Sequence, residues 1–202
     1  RSQGYSMHLA VRLDKPQEEE NHIRELEKRH IDGLIVIDPT VENLKKGFFR
    51  DLSNRVPLIL ISSYNKELIS GCAAITYDES SGMEKAIKKL KGMGKKKIAL
   101  LRGRGSQSYD IREQLYDKFL EQEALSFNRV ITAENSNSIE VIKDISRIIG
   151  NMQREQIDMP DAFIACNDLM ASGLIAALKD RKIAIPREVA VIGYDNTPLC
   201  YL

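Results

Sequence analysis

The sequence contains little cysteine, and the cysteines it has form no motif. Cys72, Cys166 and Cys200 are far apart, and no CxxC pair or Cys/His cluster accompanies them. We therefore expect no structural metal site. An odd number of widely spaced thiols is typical of a reducing compartment, so we expect a cytoplasmic protein.

The sequence also lacks an excess of charge of either sign and a long apolar run. Its 30 basic and 29 acidic residues leave a formal net charge of +1. This balance excludes an electrostatic nucleic-acid-binding module within the chain itself. The longest apolar stretches are too short to span a bilayer, and no secretory signal pattern follows Arg1, so no membrane contact is expected.

The 202 residues instead show short apolar runs that alternate with longer amphipathic stretches. The predicted strands are Met7–Leu13, Gly33–Ile37, Leu58–Ile61, Ala73–Thr76, Lys97–Leu101, Arg129–Thr132, Ala162–Ala165 and Val189–Gly193. Most of these runs are rich in valine, isoleucine and leucine, which is typical of parallel strands buried on both faces. The predicted helices are Pro16–Arg29, Val41–Ser53, Glu79–Met93, Tyr109–Ala124, Ile139–Met152 and Leu169–Lys182. This alternation predicts a doubly wound α/β fold.

One internal boundary stands out in this alternation. Gly92-Met93-Gly94 ends a helical pattern, and the lysines that follow lead into a new apolar strand. Glycine is the usual residue just past a helix end. We therefore predict two α/β lobes, residues 1–94 and 95–202.

Polar side chains follow several predicted strands. In open α/β sheets, ligands bind at the carboxyl ends of the strands. The residues found there include Asp78, Ser108, Arg112, Asn137, Asn167 and Asp195. Carboxylates, amides and a guanidinium suit a polyhydroxylated small molecule. With no histidine among them and no nucleophile–base pair, these residues predict binding without catalysis and without a cofactor.

Simpler interpretations of the same residues remain open. Asp78 and Asn167 could each be only a helix cap, and Asp195 only a turn residue. Arg112 could be a solvated surface side chain. The Gly103–Ser108 loop follows a strand like a phosphate cradle, but it lacks the third glycine of a dinucleotide motif. A nucleotide-dependent enzyme is therefore a third hypothesis for the chain.

Two long motifs near the end of the chain resemble the effector-binding core of LacI-family transcriptional regulators. They are Asn-Asp-Leu-Met-Ala-Ser-Gly at 167–173 and Ile-Pro-Arg-Glu-Val-Ala-Val-Ile-Gly-Tyr-Asp at 185–195. Shorter matches run upstream through Ile31-Asp-Gly-Leu-Ile and Val56-Pro-Leu-Ile. The resemblance implies two doubly wound lobes of the periplasmic-binding-protein-like type I fold, incomplete at both ends, that close on a small ligand.

The resemblance also implies roles for individual residues. Ser108 and Arg112 match the serine and arginine that contact effector from the second lobe. Asn167 matches the effector-binding asparagine, and Asp195 the carboxylate that holds ligand hydroxyls. Asp78 matches a polar contact from the first lobe. Asn137 stands where the family often places an aromatic side chain on the ligand ring.

The implied function is sensing of a sugar-like effector by a transcriptional regulator. The parent protein would bind operator DNA through a helix-turn-helix headpiece absent from this chain, and it would form a homodimer. A second hypothesis, which implies the same fold, is that the chain is an exported sugar-binding protein of a transport system. Fold alone does not separate these two functions.

Overall fold

The computed structural model describes residues 4–10, 15–61, 67–134 and 138–201. Strands and helices alternate along the chain, as the sequence predicts. In order they are α1 (Pro16–Lys28), β1 (Leu34–Ile37), α2 (Val41–Lys45), α3 (Phe48–Ser53), β2 (Leu58–Ile61), β3 (Ala73–Ile75), α4 (Glu79–Gly92), β4 (Ile98–Arg102), α5 (Gln107–Gln122), β5 (Arg129–Thr132), α6 (Val141–Arg154), β6 (Ala162–Ala165), α7 (Asp168–Asp180) and β7 (Ala190–Ile192). A 3₁₀ turn, Pro198–Tyr201, follows β7.

The chain divides into two compact units. The first comprises residues 1–77 with Gly105–Gln107, and the second comprises Asp78–Arg104 with Ser108–Leu202. Each unit has its own parallel sheet, in the order β1-β2-β3 in the first and β5-β4-β6-β7 in the second. The prediction of an α/β fold with parallel sheets is confirmed.

The division between the units differs from the predicted boundary at Gly94. Helix α4 belongs to the second unit because Met83, Ile87 and Leu90 are buried in that unit's hydrophobic core. The glycines at 92 and 94 therefore end a helix without ending a unit. A helical sequence pattern shows which face is apolar, and it does not show which sheet that face covers.

The two central strands of the second sheet are buried on both faces, and the outer strands β5 and β7 are half-buried. Ile98 to Leu101 on β4 and Ala162 to Ala165 on β6 are almost completely inaccessible to solvent. Helices α4 to α7 supply the residues that cover them, among them Tyr116, Ile145 and Leu174. This packing matches the burial that the unbroken apolar runs predict.

In the described part of the chain, only one face of the first sheet is covered by other residues. Leu58 and Leu60 are buried with Phe49 and Leu52 in a smaller core. The alternate residues face solvent: Ile35 is 62% and Ile37 67% exposed, and Ile59 and Ile75 are also exposed. The expectation that these strands are buried on both faces is wrong for the first unit.

Two predicted elements of the first unit also differ. Residues 7–10 of the predicted strand Met7–Leu13 are not in a strand, because in the described part of the chain no neighbouring strand pairs with them. Residues 11–14 lie outside the described residues. The predicted helix Val41–Ser53 is two short helices, because Gly47 between them adopts a left-handed φ of 76°. Glycine reaches that conformation without steric cost.

Candidate functional site

All but one of the described candidate residues of the second unit follow strands of its sheet. Ser108 and Arg112 lie in the first turns of α5, which comes after β4. Asn167 joins β6 to α7, Asp195 follows β7, and Asp78 precedes α4. Because parallel strands end at one edge and the helices after them begin there, the fold brings Ser108, Arg112, Asn167 and Asp195 to the carboxyl edge of the sheet. Asp78 lies at the start of α4, which the contact of Glu79 with Arg112 joins to the same edge.

Arg112 is buried in this edge and paired with a carboxylate. Its side chain is 9% exposed and that of Glu79 is 7% exposed. The Arg112 Nε donates to Glu79 Oε2 at 3.0 Å, and Nη2 donates to Oε1 at 2.8 Å. The remaining terminal nitrogen, Nη1, donates to the backbone carbonyl of Cys166. This two-point pairing fixes the plane of the guanidinium.

The face of the same guanidinium packs on an aromatic ring. The central carbon of Arg112 lies 4.2 Å from the ring centroid of Tyr194, which is within cation–π range. The Tyr194 ring also packs near Gly82, where an added Cβ would lie 3.6 Å from the Tyr194 hydroxyl oxygen. Arg112 thus ties together α4, the end of β6 and the segment after β7. The interpretation of Arg112 as a solvated surface side chain is wrong.

The pKa values of these groups follow from this environment. Burial opposes the charged form of Arg112, but the hydrogen bonds and charge of Glu79 outweigh it and raise the pKa of the guanidinium. Burial raises the pKa of the Cys166 thiol to about 12, although the nearby Arg112 works against that shift. Since the thiolate is the nucleophilic form, Cys166 is inert at neutral pH.

Asn167 and Asp78 are both helix caps, as one of the two sequence interpretations holds. The Asn167 side-chain oxygen accepts from Met170 N at 2.7 Å, and its nitrogen donates to the Tyr109 hydroxyl at 3.2 Å. Asp78 is exposed and accepts from Ser81 N at 3.1 Å. A cap satisfies backbone donors that the helix leaves unpaired. Ser108 is buried near the start of α5.

Asp195 lies on an exposed turn that a buried carboxylate holds in place. Its backbone adopts a φ of 95°, a left-handed conformation rare outside glycine. Asp168 Oδ2 accepts from Thr197 N at 2.6 Å and from Thr197 Oγ1 at 2.9 Å. Gly193 lies beside this contact, because an added Cβ would be 2.7 Å from Asp168 Oδ1. Asp168 therefore positions the turn that carries Asp195.

Replacing Asp168 with alanine should release this turn. We expect the free energy of unfolding to fall by about 1–3 kcal/mol, because the Thr197 amide and hydroxyl lose a charged acceptor. Urea denaturation measures the loss, and amide hydrogen exchange at Thr197 reports the release. The matched control is Asp180→Ala at the exposed end of α7, for which we expect little change in either. If amide exchange at Thr197 is unchanged in Asp168→Ala, then Asp168 does not hold this turn in place.

Two residues that shape this edge do not stand out in the sequence as parts of a site. Glu79 directly follows Asp78, and nothing in the spacing marks it as the partner of Arg112, 33 residues away. Asp168 stands out only as part of the Asn-Asp pair, where a cap explains it equally well. The remaining candidate, Asn137, lies outside the described residues, so its placement stays a prediction.

The described residues show no cluster of histidine, cysteine, aspartate or glutamate able to hold a metal ion. Within the same ranges, no helix is both long and apolar enough to cross a membrane. The three cysteines are unpaired thiols.

The second unit and its edge match a known family. The sequence pattern of the periplasmic binding protein-like domain matches residues 87–202. The chain is 29% identical over 203 residues to the HTH-type transcriptional repressor PurR of Histophilus somni. That alignment covers 96% of this chain and 56% of the repressor, so the chain spans about half the length of the curated relatives it matches.

Solved structures share the fold. An uncharacterized protein from Actinobacillus succinogenes aligns with a TM-score of 0.82 at 24% identity, over 96% of this chain and 68% of that one. A periplasmic binding protein/LacI transcriptional regulator from Alkaliphilus metalliredigens, complexed with D-xylulofuranose, aligns with a TM-score of 0.75 at 19% identity, over 97% and 68%. The resemblance carried by the motifs at 167–173 and 185–195 is confirmed: the chain belongs to the periplasmic binding protein-like domain family, with the fold of a LacI-family effector-binding core.

Proposed function

We propose that this chain is the ligand-sensing core of a LacI-family transcriptional regulator and that it binds a small hydroxylated effector without catalysis. The observation that carries the proposal is the polar edge of the second sheet, where Arg112, Asn167 and Asp195 follow three different strands. Such an edge can orient a ligand through hydrogen bonds. It offers no activated nucleophile in its described part, since Cys166 is protonated at neutral pH.

The proposed effector-binding residues divide into two groups. Asp195, Ser108 and Asp78 would accept hydrogen bonds from ligand hydroxyls, with Asn137 as a fourth contact. Arg112 and Asn167 each have nitrogens or oxygens committed to neighbouring groups. They would contact the ligand through their side-chain N–H groups while they hold the edge in shape.

The activity proposed for the parent protein is ligand-controlled DNA binding. Its support is the similarity to repressors that are about twice as long as this chain. The parent would contact operator DNA through a helix-turn-helix headpiece, act as a homodimer and reside in the cytoplasm. Effector would control DNA binding only if it binds the states of the protein with unequal affinity.

The alternative function is sugar binding for a transport system, which the periplasmic-binding-protein fold also serves. The similarity to a protein complexed with D-xylulofuranose fits either function, because both bind small hydroxylated molecules. The codons upstream of this sequence in its gene distinguish them. A helix-turn-helix supports the regulator, and a signal peptide supports the transport protein.

The site is tested by replacing Asp195 with alanine. A thermal-shift screen of sugars, sugar phosphates and purines on the intact protein first identifies a ligand, since bound ligand stabilises the folded state. With that ligand, calorimetry on Asp195→Ala should show an affinity loss of about 1–3 kcal/mol. Asp180→Ala, at the far end of α7, is the control. Unchanged affinity in Asp195→Ala contradicts the site, and a screen without any ligand contradicts the function.

A further inference from the structure

The segments after the strands of the second sheet contain few cations. Residues 133–140, 166–167 and 193–197 include no lysine or arginine. The end of β4 and the segment after it carry three arginines, namely Arg102, Arg104 and Arg112. Arg147 on α6 also lies at this edge, where it pairs with Asp144, the carboxylate that accepts from the Glu134 amide. A ligand with a phosphate or carboxylate group would need one of these arginines as its counter-charge.

Each of the three arginines already pairs with a carboxylate. Arg102 pairs with Asp110 and Glu113. Arg104 pairs with Glu134 at 3.3 Å on the exposed surface. Arg112 pairs with Glu79 inside the edge. The Glu79–Arg112 pair has the greatest effect on a ligand, because the attraction between charges is strongest where water is excluded.

The N-termini of α4 and α7 at this edge are compensated as well. A helix N-terminus carries a partial positive charge that attracts anions. At α4 the Asp78 carboxylate already accepts from the Ser81 amide. At α7 the Asn167 side chain caps the helix, and the Asp168 carboxylate lies in its first turn. A second negative charge at either end would face a carboxylate.

We infer that this edge selects an uncharged, hydroxylated effector over a phosphorylated or carboxylated one, and that Glu79 is the residue that sets this preference. The inference rests on the proposed function and narrows its ligand class. Glu79 neutralises Arg112 but leaves N–H groups of the guanidinium able to donate to a hydroxyl. The exposed carboxylate of Asp195 accepts from hydroxyls and repels anions. Glu79 acts through Arg112, so it is a positioning and charge-setting residue.

The test uses inorganic phosphate as the probe on the intact protein. Calorimetry compares the wild type, Glu79→Gln and the double variant Glu79→Gln/Arg112→Met, and the quantity of interest is the phosphate affinity that depends on Arg112. In the wild type we expect no phosphate binding that depends on Arg112. In Glu79→Gln we expect a gain of about 10-fold or more, the size of one charge-assisted hydrogen bond, and we expect the double variant to lose it. Circular dichroism confirms that each variant is folded.

Two outcomes overturn the inference: Arg112-dependent phosphate binding in the wild type, or no gain in a folded Glu79→Gln. If Glu79→Gln does not fold, the wild type decides with a matched pair, D-xylulose and D-xylulose 5-phosphate. Equal or tighter binding of the phosphate contradicts the inference, whereas preference for the free sugar, or binding of neither with no phosphate affinity, agrees with it. Failure of the proposed function is a separate result, since it shows as a ligand screen without any hit.

Discussion

Replacing Arg112 with alanine is expected to lower the free energy of unfolding by about 3–5 kcal/mol, because it leaves a buried carboxylate without its partner. Glu79 would lose both of its hydrogen bonds from the guanidinium, and the Cys166 carbonyl would lose a donor. The Tyr194 ring would also lose its cation–π contact. Urea denaturation followed by circular dichroism measures the change.

Two controls make this prediction specific to the buried pair. Arg104→Ala removes an ion pair in which the arginine side chain is 67% exposed, and should cost no more than about 0.5 kcal/mol. In Glu79→Gln/Arg112→Met, no buried charge is left alone, so the double variant should be more stable than the sum of the single changes predicts. An Arg112→Ala protein as stable as Arg104→Ala would show that the pair contributes little.

Replacing Phe163 with alanine should also lower the free energy of unfolding by about 3–5 kcal/mol. Phe163 is completely buried on β6, between Ala99 on β4 and Val191 on β7. The substitution leaves a cavity that the surrounding close-packed side chains fill only in part. Because the Cys166 carbonyl and the Asn167 cap directly follow β6, effector affinity should fall together with stability.

Tyr201→Ala is the matched control for Phe163→Ala. Tyr201 is an aromatic side chain in the same unit but is 81% exposed, so its removal should change stability by no more than about 0.5 kcal/mol. Denaturant titration with both variants in parallel compares the two midpoints. Equal midpoints would contradict the two-sided burial of the second sheet.

Much of the second unit could be predicted from the sequence, because its signals are local. The runs at Arg129–Thr132 and Ala162–Ala165 are strands with the predicted bounds. Ala162–Ala165 consists only of apolar residues, which fit a covered sheet. The caps at Asp78 and Asn167 also follow from local chemistry, since a carboxylate or amide before an apolar helix pattern satisfies its first amides.

The first unit shows where local signals are insufficient. The run Gly33–Ile37 is as apolar as any in the second unit, and yet Ile35 and Ile37 are exposed. Residues 7–10 have an apolar pattern but no strand beside them in the described structure. Whether an apolar residue is buried depends on a second layer of structure, and a strand needs a hydrogen-bonded neighbour.

The sequence by itself determined the α/β alternation, the positions of most strands and the residue types at the strand ends. It did so because apolar periodicity and capping act between residues close together in the chain. The tertiary structure alone decided that α4 packs with the second unit and that Glu79 neutralises Arg112. It also decided that Asp168 holds the turn of Asp195. These are contacts between residues far apart in sequence, and no local pattern specifies which charges meet when a chain is compact.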